Sequence, residues 1–289
     1  MGEDPYRPLS DGRRAYGRGL MTAERIVLLG AGRLATHLSR ALKAYAPERR
    51  IVQIYSPGGH SARRLAESLG GDVQVASSVD ELDRTADCYL FAVPDTAIAE
   101  VAESLSAHEV GRDALWVHVS GATPLEALSH CHRDAAVLYP LQTFSEGHEL
   151  DFRKVPLYLE GTTPAAKMAV EVLGCELSDV VAWATSEQRQ VLHIAAVVAC
   201  NFSNYLIGRA ESLLTSQSLP PKAILPLLDE MNEKLHHLPA VEAQTGPAQR
   251  GDRETIRRHQ AFLIRSGEIE LAALYDELST AIQRIYETI

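Results

Sequence analysis

Gly30-Ala31-Gly32-Arg33-Leu34-Ala35 reads G-x-G-x-x-A, a spacing with a definite physical use. The first glycine allows a tight turn, and the second lets backbone approach a pyrophosphate. The small Ala35 lets helix pack on strand. Helix amides then face the phosphates. The run that follows, "IVQIYSPGGHSARRLAE", indicates which dinucleotide. An acid about 20 residues past the glycines binds the ribose hydroxyls of NAD. Here Tyr55-Ser56 stand in its place, with Arg63 and Arg64 just after. Hydroxyl and guanidinium groups suit a 2′-phosphate, so NADP(H) is the expected cofactor. "LFAVPDTAIAEV" brings Val93 and Pro94 to the end of a strand, with Asp95 placed to cap the next helix. "LWVHVSGATPLEAL" delivers His118, Ser120 and Gly121 to the same kind of edge. They could touch nicotinamide or substrate; equally, Ser120 could serve its turn and His118 its strand.

A second set lies further along. "SEQRQVLHIAAVVACNFSNYLIGRAESLL" is apolar nearly all round its middle, which predicts burial, yet His193, Asn201 and Asn204 interrupt it. At about 100° per residue, His193 and Asn204 fall within about 20° of each other. Such polar groups either bond one another and the backbone or line a cleft. In "QTGPAQRGDRETIRRHQ", Gly246-Pro247 and Gly251 make a rigid loop around Arg250. That arginine could grip a carboxylate or phosphate, or only brace the loop. Asp252 can cap the next helix, and His259 reads as structural. The "HCH" at 130–132 reads as a surface helix end, and no metal site is expected.

The elements that must hold these residues fall into two blocks. Strands are predicted at 25–30, 51–55, 87–93, 115–119 and 135–138, with helices at 33–45, 61–69, 95–106 and 123–129. That alternation predicts a parallel sheet covered by helices. Strand-like pieces at 155–161 and 175–183 flank a helix at 164–173 and extend the sheet. Helices alone follow, at 187–215, 221–236, 253–264 and 267–287, and Thr185 with Gln188 suggests a capping box. The expected fold is α/β: a Rossmann-type domain over 23–184, then an all-helical domain over 185–289. Residues 1–22 are expected to be a disordered tail.

Composition narrows the function further. The chain has 289 residues, 46% of them apolar, and a formal charge of −10. A nucleic-acid binder needs a basic face, so none is expected as partner. The four cysteines form no CxxC, which fits a reducing cytoplasm. The longest unbroken apolar run, Ile194 to Cys200, has seven residues, and no membrane span is expected. Apolar helices in 194–207 and 262–286 suggest a homodimer.

The segments "GAGRLATHL", "FAVPDTAI", "HVSGATPL", "YPLQTFS", "LHIAAVVACNFSNYL" and "TGPAQRGD" carry a resemblance. The chain resembles the family that joins a Rossmann-like NAD(P)-binding domain to a helical domain of unknown function. Its architecture is similar to ketopantoate reductase, pyrroline-5-carboxylate reductase and the 3-hydroxyacid dehydrogenases, with a second domain like the C-terminal domain of 6-phosphogluconate dehydrogenase. The resemblance implies reacting residues on the first long helix of that domain. Ketopantoate reductase has there a lysine and, eight residues later, an asparagine; this chain has His193 and Asn201. It implies His193 as proton donor, Asn201 as its partner or carbonyl ligand, and Arg250 as clamp on a substrate carboxylate. Tyr139 stands where the family pattern has histidine, so position 139 receives no role. The expected function is reduction of a small 2-oxo acid or imine by NADPH. The competing readings are a dinucleotide-binding sensor without turnover and a deazaflavin-dependent NADP oxidoreductase.

Overall fold

The computed structural model describes residues 23–287; the tail expected over 1–22 lies outside them. The chain divides into two compact units, one up to Ala199 and one from Cys200.

The first unit is built on an eight-stranded sheet ordered β3-β2-β1-β4-β5-β6-β7-β8. The strands are β1 Arg25–Leu29, β2 Arg50–Tyr55, β3 Gln74–Ala76, β4 Cys88–Phe91, β5 Leu115–His118, β6 Ala135–Pro140, β7 Leu157–Gly161 and β8 Val181–Trp183. The central strands are apolar on both sides because both faces are covered. Ile26, Leu28, Leu90 and Val117 meet one helical layer: α1 Arg33–Tyr45, α2 His60–Leu69 and α5 Pro164–Leu177. Val27, Leu29, Phe91 and Trp116 meet the other: α3 Ile98–Ala107 and α4 Glu126–Ser129.

Several expectations change here. The sheet is not wholly parallel, since β7 runs antiparallel to β6. A parallel return needs a long crossover, usually a helix. The 141–156 link supplies only a 3₁₀ turn, Phe152–Lys154, so the chain turns straight back. The piece 175–183 is a strand only over Val181–Trp183. Val170, Leu173 and Leu177 keep a helical stripe going, so α5 runs on to Leu177. Strand β3, which carries only three residues, escaped the pattern. Asp95 caps nothing: it opens a 3₁₀ turn whose N-cap is Pro94, with no side-chain cap bond. His132 is buried, with its ring stacked 4.2 Å from that of Trp116 and Nε2 2.7 Å from the Ala114 carbonyl oxygen. The exposed His130 does end α4 at the surface, as expected, while His132 anchors the segment in the core. No metal-binding cluster occurs among the described residues.

α6, Ser186–Ala196, closes the first unit. It opens on the expected capping box, with Thr185 accepting from the Gln188 amide and Gln188 reaching back to Thr185. A π-helical stretch, Val197–Phe202, follows. The second unit holds α7 Ser203–Ser216, α8 Leu225–Leu235, α9 Ala240–Ala243, α10 Arg253–Arg265 and α11 Ile269–Glu287. Asp252 caps α10 through the Thr255 amide at 3.0 Å, as expected. Arg209 pairs with Glu268 at 2.5 Å. His259 bonds Tyr275 at 2.8 Å, joining α10 to α11.

The predicted burial of the long helix does not hold. Val191 and Ile194 are 66% and 55% exposed, and Phe202 57%. An all-round apolar pattern records a need for cover, and within one chain these side chains have little. By length and composition, Ser186–Ser216 could also cross a membrane. Counting unbroken apolar residues missed this, because isolated polar residues interrupt the run without lowering its average much.

Candidate functional site

The carboxyl ends of the central parallel strands form one edge. Leu29, Phe91, His118 and Val137 are paired in register across β1, β4, β5 and β6. Strand order reverses beside β1, and ligands of open α/β sheets bind at such a switch point. Gly30 turns the chain there. Its φ is +111°, and a β-carbon would stand 2.3 Å from the Ala92 carbonyl oxygen. Glycine is required on both counts. Gly32 differs: a β-carbon there would meet nothing within 4 Å. It is the N-cap of α1 and offers no side-chain cap, so the first-turn amides keep their donors for a ligand. This open cradle suits a dinucleotide pyrophosphate.

The sequence-predicted cofactor residues separate into groups. Ala31, Gly32, Arg33 and Arg64 line a cleft of about 550 Å³, together with Ser61 and Glu146. Arg63 does not line it; its guanidinium lies over Gly59, 3.3 Å from where a β-carbon would be. Ser56 is buried, and its Oγ accepts from the Ala62 amide inside α2. Leu34 packs on the core. Val93 is half-buried beside Gly30, and Pro94 is exposed.

Past β5 lies the turn Ser120–Thr123. The Ser120 Oγ accepts from the amides of Ala122 and Thr123, at 3.1 and 2.9 Å. The serine thus braces its own turn. His118 is fully buried, and its Nδ1 accepts from the Ser120 amide at 3.2 Å. Burial first, and the Arg189 charge second, push its pKa down to about 3. It is a neutral structural imidazole at physiological pH.

This gives a pH expectation. The unfolded histidine titrates near 6.5. Between there and about 3, only the unfolded state takes the proton, so stability falls as pH falls. The limiting slope is about 1.4 kcal/mol per pH unit for one proton. His118→Asn keeps an acceptor for the Ser120 amide without titrating. Urea unfolding from pH 8 to pH 4 should show a shallower acid loss in this variant. Equal slopes in the two proteins would refute it.

Sequence reasoning missed two residues here. Arg189 is 0% exposed. Its Nη1 donates to the Ser120 and Thr123 carbonyls, both at 3.0 Å, and its Nη2 to Glu160 at 2.8 Å and Ser186 Oγ at 3.0 Å. It ties the turn after β5 to β7 and to the start of α6. An arginine four residues before His193 on an apolar helix was the available signal. The second is Tyr139 on β6. Its ring fills the space beside Gly121, where a β-carbon would stand 2.4 Å from Tyr139 Cζ. Its hydroxyl lies 3.3 Å from Nδ1 of His193. Burial raises the Tyr139 pKa against the pull of Arg189, so the group stays a phenol.

His118, Ser120, Tyr139, Arg189 and His193 are thus brought together in the first unit. Asn201 and Arg250 belong to the second, where both are exposed. Gly246 and Gly251, on either side of Arg250, both have positive φ, +108° and +70°. The angular reckoning from His193 to Asn204 assumed α-geometry, and the π-helical stretch Val197–Phe202 between them breaks it. π-bulges are frequent at functional sites.

Residues 19–142 match the family described as a Rossmann-like domain. Residues 155–282 match the domain of unknown function DUF2520. A Bacteroides fragilis protein described as a candidate NADP oxidoreductase is 36% identical, over 91% of this chain and 99% of that one, with a TM-score of 0.83. Protein TM1727 from Thermotoga maritima is 25% identical over 91% and 98%, with a TM-score of 0.66. Pyrroline carboxylate reductase from Plasmodium falciparum, solved with NADP bound, shares the fold at 10% identity, over 92% and 100%, with a TM-score of 0.58. No curated protein matches the chain.

Proposed function

Because the chain belongs to the family that joins a Rossmann-like domain to a DUF2520 domain, we propose that it is an NADPH-dependent oxidoreductase reducing the C=O bond of a small 2-oxo acid or the C=N bond of an imine. One observation carries the chemistry. A half-buried imidazole, His193, is held by Tyr139 at the sheet edge that also carries the glycine turn. When bound, NADPH supplies a hydride to the carbon of that bond. The oxygen or nitrogen then gains negative charge and needs a proton. A protonated His193 gives one from its imidazole, and solvent returns it. The Gly30–Gly32 turn and the α1 amides would hold the pyrophosphate, and Arg64 would meet the 2′-phosphate. NADPH consumption, followed spectrophotometrically with panels of 2-oxo acids and cyclic imines, tests the reading. Turnover of either class supports it. Tight NADPH binding with no turnover of any member would favour a dinucleotide sensor.

Cofactor choice is a separate expectation. Titration calorimetry should give tighter binding of NADPH than of NADH. Arg64→Ala should weaken NADPH about tenfold and leave NADH unchanged, an exposed charge-assisted bond contributing toward the low end of its range. Arg63→Ala should change neither. Equal affinity for both cofactors, or an effect of Arg63 instead of Arg64, would contradict this assignment.

A further inference from the structure

From the Tyr139–His193 contact we infer that Tyr139 is a positioning residue: it holds Nδ1–H of His193, so that Nε2 is the nitrogen that carries and releases the transferable proton. This rests on the proposed reduction, but its central test does not.

The argument begins with the tyrosine's confinement. Tyr139 is 7% exposed, and its ring lies against the backbone of Gly121 on one side and near Tyr158, at a centroid distance of 6.5 Å. Gly121 leaves no room for the ring to swing toward it. The hydroxyl therefore has one place, and Nδ1 of His193 is 3.3 Å away. The two rings meet edge to face at 63°. The capping box and Arg189 fix the start of α6, and with it the approach of His193. Among the described residues, no hydrogen-bond partner of His193 Nε2 is found.

Proton bookkeeping fixes which tautomer the transfer leaves behind. A neutral imidazole cannot act as the acid without becoming an imidazolate. The acid is the imidazolium, protonated on both nitrogens. When Nε2 gives its proton to the substrate oxygen or nitrogen, the neutral ring left behind must keep Nδ1–H. An oxygen facing Nδ1 stabilises that product of the transfer. Tyr139 supplies one as a phenol. In the imidazolium Nδ1 carries a proton, so the phenol oxygen accepts there, and it keeps that bond when Nε2 gives up its own proton. Free imidazole side chains favour the opposite tautomer, with the proton on Nε2, so the tyrosine would reverse the default.

The direct test is nitrogen NMR of the full chain without cofactor or substrate. Long-range ¹H–¹⁵N spectra at about pH 8.5, where an ordinary histidine is neutral, report the tautomer of each ring. The His193 signals are assigned by their loss in His193→Gln. The wild type should show His193 with Nδ1 protonated. Tyr139→Phe keeps the ring beside Gly121 and removes only the hydroxyl, and His193 should then revert to Nε2–H. Gly121→Ala, whose β-carbon would displace the Tyr139 ring, should cause the same reversion with both side chains present. With a substrate in hand, Tyr139→Phe should lower kcat about threefold to tenfold, the range for losing one neutral hydrogen bond. KM and NADPH affinity should stay unchanged. An Nε2–H tautomer in the wild type, or one indifferent to Tyr139→Phe, would overturn the inference whatever the enzyme reduces. Absence of turnover alongside the expected tautomer shift would count against the proposed function and leave the pairing intact.

Discussion

Arg189→Ala should lower the unfolding free energy by about 3–5 kcal/mol, the range for breaking a buried charge pair from one side. The guanidinium has no exposed surface, and the Glu160 side chain is 21% exposed. Removing it strands more than the carboxylate. The Ser120 and Thr123 carbonyls lose their donor. Among the described residues, Glu160 keeps only the Ser186 amide and hydroxyl, at 3.2 and 2.8 Å. Ser186 Oγ in turn accepts from the Leu125 amide at 3.1 Å, so both sides of the network loosen. Arg189→Lys keeps the charge but not the fork, and should lose less. The double change Arg189→Met with Glu160→Gln should cost less than the two single changes summed, because no lone charge is left behind. Chemical denaturation of the wild type and these five variants decides it. A loss under about 1 kcal/mol for Arg189→Ala would mean that water replaces the guanidinium at little cost.

Arg189 also marks where sequence reading stops. The glycine turn, α1 and the Thr185 capping box were legible because each is written within a few residues. Gly30 needs its φ, Thr185 needs Gln188 three places on, and α1 repeats its apolar stripe. Arg189 bonds Glu160, 29 residues back, and a turn about 66 to 69 residues back. No local pattern holds that information. The same is true of Tyr139, whose partner His193 lies 54 residues ahead. Read alone, Tyr139 was only a departure from a family pattern. Ser56 shows the converse. Its type suited a phosphate, but its hydroxyl oxygen accepts the Ala62 amide, a bond that becomes visible only with the backbone path. Arg63 and Arg64, alike in sequence, part company because adjacent helical positions point about 100° apart. The reversal of β7 was open to reasoning from the link before it, which lacks a helical pattern long enough to cross the sheet.

His193→Ala should lower kcat by about 10²–10⁴-fold, the usual yield of one positioned general acid. NADPH affinity should not move, since the glycine turn and Arg64 are untouched. Because the proton is needed only as charge develops, kcat and kcat/KM should fall together. His193→Gln should be as poor, being able to hydrogen-bond the substrate but not to protonate it. Steady-state kinetics with the best substrate found, alongside NADPH titration, separates these effects. The structure also limits what a negative result could mean. If His193→Ala kept full turnover, neither His118 nor Ser120 could take its place. His118 has no exposed surface and is held neutral. Ser120 is 6% exposed, its Oγ is held in the turn by the Ala122 and Thr123 amides, and an alcohol is a far weaker acid than an imidazolium. The remaining donor at that edge would be the Tyr139 hydroxyl itself, freed of its imidazole partner. Tyr139→Phe would then abolish turnover, where pairing with His193 requires only a threefold to tenfold loss. The ratio of the two variants' effects therefore identifies which of the paired groups gives up the proton.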